Sequence, residues 1–217
     1  MNGHRWAAEG PPLEAYSRVT NPGRFASLHD FAAELLDRIE LEFDVERTQG
    51  TGLDTELEES CKLARPTVTL VPRDTGAAPV VIVFSAFPGL RIRFGWWCTS
   101  AFPTCGCDAC DETAESETER LKSLLDNLTA GRFREAILLP PDGPAWKESE
   151  FWSGTARCAQ QSQLGRARAL QLVDAKDRSL YNWGPWPRLF SASAHSLVSI
   201  LLSLTYGVWR CHKPSIL

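Results

Sequence analysis

Between residues 21 and 44 the apolar positions Phe25, Leu28, Ala32, Leu35, Leu36, Ile39 and Phe43 recur at steps of three and four, with acids and arginines between them. That period lays one apolar stripe along a helix and leaves the opposite face wet. Asn21 stands where an N-cap is wanted and Pro22 at the first helical position, where its missing N–H costs nothing. The spacing therefore predicts a helix over about 22–44.

After the polar stretch "TQGTGLDTELEES" the period changes. "RPTVTLVP" (65–72), "APVVIVFSAF" (78–87) and "LRIRFGWW" (90–97) are rich in β-branched and aromatic residues, and the turn sequences "RDTGA" and "PG" separate them. In the last of these, Leu90, Ile92 and Phe94 alternate with Arg91 and Arg93, which is the pattern of a strand with one wet face. Linkers this short join antiparallel neighbours, because parallel strands need a long crossover. Helical spacing returns at Leu121, Leu124, Leu125 and Leu128. Glu112, Glu115 and Glu117 suit the positive end of that helix and Gly131 its C-terminal stop, so a second helix is predicted over about 112–130. Residues 140–160 read as a loop followed by one possible strand, and 163–175 as a short helix. No internal repeat is present.

These elements predict an α+β fold: a two-layer domain over 21–187, with a small, mostly antiparallel sheet and two main helices packed on it. A flexible Gly/Pro/Ala-rich arm (1–20) precedes it, and an irregular Ser/Leu-rich extension (188–217) follows. Residues 189–209 hold no Asp, Glu, Lys or Arg and are long enough to cross a bilayer as a helix. Their serines, Thr205 and His195 make insertion marginal, and an amphipathic or disordered extension is the competing reading.

Charge narrows the function classes. A formal net charge of -4 and a pI near 5.6 supply no basic field for a phosphate backbone, so nucleic acid is not expected as a partner. The first twenty residues lack the charged start and apolar core of a secretory signal, which places the chain in the cytoplasm, where thiols stay reduced. Seven cysteines, an odd number, then argue for metal binding, redox chemistry or plain burial instead of a disulfide framework.

Three of the seven fall in "AFPTCGCDACDE". Cys105, Cys107 and Cys110 have the spacing C-x-C-x2-C, and a tight loop of that form points three sulfurs at one centre. Soft thiolates select zinc, copper(I) or iron–sulfur chemistry over magnesium or calcium, and Gly106 eases the turn between the first two. A structural zinc site takes four ligands. Cys98 is the first choice for the fourth, with His29, on the apolar side of the first helix, as the second. Acids on every side of the loop repel thiolates, and a divalent cation reverses that penalty. The competing readings are three small turn-and-core residues without a ligand, and a redox or nucleophilic thiol at Cys110. The four histidines are scattered, no catalytic triad can be assembled, and no Gly-rich phosphate loop, HExxH helix or GxSxG elbow is present.

The block FP-x-CGCDACDE (Phe102 to Glu112), together with "YSRVTNPGRFASLHDFAAELLDRIELEFDVER" and "YNWGPWPR", resembles a family of small actinobacterial proteins of unknown function. The likeness covers roughly residues 15–188 in scattered blocks, and the family implies no activity, cofactor or catalytic residue. Within "YNWGPWPR", Trp183 and Trp186 beside prolines suit a docking surface for a peptide or sugar, or, more often, a terminal strap laid over the core. The sequence thus predicts a non-enzymatic binding or regulatory module with a cysteine-rich zinc site and an unidentified protein partner. A cysteine-dependent oxidoreductase or hydrolase is the alternative, as is a membrane-tethered regulator that depends on the extension alone.

Overall fold

Helix α1 (Ser27–Glu42) buries Leu28, Ala32, Leu35, Leu36 and Ile39, the stripe that its sequence period predicts. In the computed structural model, which describes residues 10–176 and 179–189, this stripe lies in one core with the inner face of a five-stranded sheet. The sheet is formed by β1 (Val45–Gly50), β2 (Thr67–Pro72), β3 (Val80–Ser85), β4 (Gly89–Phe94) and β5 (Cys98–Phe102), in that order and antiparallel throughout. The short helix α2 (Thr55–Glu59) follows β1. Helix α3 (Ala114–Thr129) joins α1 in the same core through Leu121, Leu125 and Leu128. Burying each such side chain is worth about 1.5–3 kcal/mol, so two apolar stripes on one sheet face hold the layer together. The fold is α+β, as the two periodicities predict.

The start of α1 differs from expectation. Pro22–Phe25 form a separate 3-10 turn, and the Asn21 side chain makes no capping bond. This turn buries Phe25 and lets Arg24 donate to the carbonyls of Gly106 and Cys107, both at 3.0 Å. The second helix has a clearer beginning, because Thr113 and Ser116 exchange backbone-to-side-chain bonds in a capping box.

A second antiparallel sheet stands where only a loop and one strand were expected. Its order is β8-β7-β6-β9, from β6 (Phe133–Leu138), β7 (Ala145–Ser153), β8 (Ala156–Leu164) and β9 (Leu180–Asn182). Helix α4 (Arg166–Lys176) connects β8 to the last strand and buries Ala169 in a satellite cluster with Trp97, Ile137 and Ala145. Phe133 and Phe151 of this sheet stack at 4.3 Å, and Phe151 meets Phe94 of the first sheet edge-on at 5.3 Å.

One carboxylate ties the two sheets. Glu135 on β6 is fully buried and accepts N–H bonds from Trp96 (2.8 Å), Trp97 (2.9 Å) and Cys98 (3.1 Å) in the turn between β4 and β5. A fourth comes from the Trp183 indole at 3.0 Å. The turn passes so close that a Cβ on Gly95, whose φ is +62°, would lie 2.4 Å from Glu135 Oε2. Burial pushes this carboxyl up from 4.5 to about 7, against the pull of the four donors. The segment "YNWGPWPR" is a strap: Trp183 and Trp186 are buried, and the Trp186 indole donates to Ala78 O at 2.9 Å. No helix among the described residues is long and apolar enough to cross a membrane. The extension from residue 190, with the tail-anchor expectation, lies outside the described residues.

Candidate metal centre

The loop between β5 and α3 carries the three clustered cysteines, and their Sγ atoms all lie within 4.8 Å of one another. Cys107 Sγ and Cys110 Sγ are 3.5 Å apart. A tetrahedral zinc ion with Zn–S bonds of about 2.3 Å would hold its sulfurs roughly 3.8 Å apart, so the trio stands close to ligand spacing. Cys105 is exposed, Cys107 buried and Cys110 half-buried, which leaves the group open on one side.

Backbone geometry explains the gathering. Gly106 has φ +81°, and a Cβ there would sit 2.9 Å from Phe87 Cζ and 3.1 Å from Pro103 Cγ. Only glycine lets the chain turn left-handed at this point while resting on those two rings. The neighbouring acids fix the turn. Glu112 accepts from the N–H groups of Thr104, Cys105 and Gly106 at 3.1, 3.1 and 2.9 Å. Asp108 is buried and accepts from Thr20 N (2.9 Å), Thr20 Oγ1 (3.1 Å) and Arg18 Nε (3.0 Å). These bonds, the Thr20 N–H foremost, hold the Asp108 carboxyl below its usual range.

Residues 13–20, which the sequence reading assigned to the arm, therefore pack on the cysteine loop. A short 3-10 helix (Leu13–Ser17) places Ala15 against Cys107 and Ala109, and the Ala15 and Arg18 carbonyls accept from Ala109 N and Asp108 N.

The thiols are not equivalent. Hydrogen bonds from Cys105, then from Cys110 and from the backbone N–H groups of Cys110 and Ala109, hold Cys107 below the ordinary thiol range. Cys110, beside that sulfur, is pushed up to about 12. It precedes the Thr113 cap by three residues and so lies outside the first turn of α3. The shifts of Cys107 and Cys110 thus run in opposite directions, as expected of two neighbouring sulfurs that resist ionising together.

Neither expected fourth ligand joins the trio. Cys98 is buried at the opposite end of β5, paired with Phe94, and burial pushes its thiol up to about 12. Four strand steps of about 3.3 Å separate it from Phe102, where the loop begins. His29 is a satisfied core histidine: Nε2 lies 2.9 Å from Gly89 O, and its ring meets Phe84 edge-on at 5.3 Å.

Sequence reading also passed over Cys61. It borders a cavity of about 460 Å³ that Cys105 also borders. A larger depression of about 660 Å³ lies between α1 and α3 and is bordered by no thiol.

The model of a family of unknown function, DUF6226, matches residues 2–189. No curated protein and no solved structure matches the chain.

Proposed function

The chain belongs to that family of unknown function, and from that premise we propose that its working part is the cysteine loop, acting as a thiolate site for one zinc ion in a non-enzymatic binding module. The observation that carries this reading is the convergence of the Cys105, Cys107 and Cys110 sulfurs within 4.8 Å of one another. Sulfurs this close repel one another once ionised, and a divalent ion is what would hold three such anions together. Bound there, zinc would fasten the loop, and through Asp108 the segment 13–20, to the end of the first sheet.

A second reading rests on the 3.5 Å approach of Cys107 and Cys110, which is also the starting point for a disulfide. One experiment separates the two. Reduced, untagged protein should retain about one zinc per chain through purification and lose thermal stability when a chelator removes it. Each of Cys105→Ser, Cys107→Ser and Cys110→Ser should lower that metal content, whereas Cys98→Ser should leave it intact. Metal-free protein whose Cys107 and Cys110 cycle between dithiol and disulfide with the fold unchanged would overturn the zinc reading in favour of thiol redox chemistry.

A further inference from the structure

We propose that the cavity of about 460 Å³ beside Cys105 is the ligand pocket of this metal centre, and that it takes a small organic carboxylate with an apolar body, whose oxygen fills the coordination position left by the three cysteines. The inference rests on the zinc reading and adds what the open position is for.

Cys105 belongs to both structures, as a member of the thiol trio and as a wall of the cavity. The contact is tight because Gly106, the next residue, rests on Phe87 and Pro103, which are themselves cavity walls. A molecule in the cavity would therefore lie directly against the metal loop. Its volume falls within the ~300–1,000 Å³ of ordinary small-molecule sites, which combine apolar walls with a few convergent polar groups.

The walls state the ligand class. Phe87, Leu90, Phe102 and Pro103 supply apolar surface for a hydrocarbon body. Lys62 and Arg91 line the same cavity, and neither has an ion-pair partner among the described residues. Three thiolates on a divalent ion leave one negative charge. Lys62 and Arg91 on the cavity wall supply positive charge against it, which a carboxylate entering the cavity would meet. Two acids of the loop do not compete for the open position, because Asp108 and Glu112 are engaged with Arg18, Thr20 and the loop N–H groups.

Cys61, a cavity-wall residue outside the trio, offers a way to fill the pocket without replacing a metal ligand. The test uses full-length protein loaded with cobalt(II), whose visible bands report both thiolate ligation and changes at the fourth position. Hexanoate and benzoate should shift those bands saturably, and should bind at least tenfold more tightly than acetate, since burial of two extra methylenes already suffices for that factor. Cys61→Phe should keep the cobalt–thiolate bands and abolish the response, and Lys62→Ala with Arg91→Ala should weaken hexanoate about tenfold. Intact cobalt–thiolate bands that hexanoate does not move, or a Cys61→Phe variant that responds like the parent, would overturn the pocket while the metal centre stands. Absence of any cobalt–thiolate band in the parent protein would remove the metal centre, and the pocket assignment with it.

Discussion

Replacing Glu135 by Gln is the sharpest probe of how the two sheets are joined, because the two side chains have nearly the same shape and differ in what they can accept. Each Glu135 oxygen takes two N–H bonds, Oε1 from Trp97 and Cys98 and Oε2 from Trp96 and the Trp183 indole. A glutamine keeps one acceptor oxygen and turns an NH2 toward the other pair of donors. Two buried N–H groups then lose their partner, at about 1–3 kcal/mol each, so the substitution costs roughly 2–6 kcal/mol. The cost also depends on pH, in a direction fixed by linkage. The folded protein raises this carboxyl from 4.5 to about 7, so the group contributes stability that is fully present below about pH 4.5 and lost as pH rises through 7. That rise amounts to ~3 kcal/mol, and glutamine does not titrate. The stability gap between parent and variant should therefore shrink by about 3 kcal/mol between pH 4.5 and pH 8, while every other titrating group cancels in the comparison. Urea unfolding followed by tryptophan fluorescence at pH 4.5, 6 and 8 measures the gap, since Trp96, Trp97 and Trp183 all contact the site. A gap that widens with pH would show that the four donors outweigh burial and that Glu135 ionises more readily folded than unfolded, which refutes the reasoning.

Two further substitutions test the loop. Gly106→Ala puts a Cβ against the Phe87 ring and a side chain on a backbone with φ +81°; it should lower stability by at least ~1–2 kcal/mol and weaken zinc binding, as read by thermal melting with and without metal. Asp108→Asn removes the carboxylate that holds Arg18 and Thr20, so trypsin should cut after Arg18 faster than in the parent, and an unchanged cleavage rate would show that segment 13–20 is held by other contacts.

What could be read from the chain follows from which residues carry a period. Helix α1, helix α3 and strands β2 to β4 each bury a regular set of apolar side chains, and the pattern of burial is the pattern of sequence. The second sheet carries no such signal. Strand β8, "ARCAQQSQL", is exposed along nearly its whole length, so neither face was under pressure to be apolar. Its partner β7 buries Glu150 and Ser149 beside Phe151, which breaks any alternation of character. Glu135 was invisible for a related reason: its role depends on four donors from two distant segments, and nothing local to "FREAIL" announces them. The thiol trio was legible because its members are neighbours in sequence. The fourth-ligand expectation was not, because seven positions along the chain look short until the direction of β5 is known. A strand running away from the loop carries Cys98 out of reach, and closeness in sequence counts for little along an extended backbone.

The acids around the cysteines also change meaning once placed. Read as sequence, they are negative charge that a cation must neutralise. In the fold Asp108 and Glu112 are already occupied, one by an arginine and a threonine, the other by three loop N–H groups. Their charge therefore shapes the turn and is not offered to a metal. This bears on the proposed selectivity, because hard cations such as calcium and magnesium need several oxygen ligands, and two of the loop's carboxylates, Asp108 and Glu112, are engaged elsewhere. What the loop does gather at one centre is sulfur. On the zinc proposal, such a loop would disfavour hard ions by keeping Asp108 and Glu112 engaged, and Asp108 stays engaged only while segment 13–20 is docked. On that proposal, metal choice and attachment of the N-terminal segment would both depend on the hydrogen bonds of Asp108.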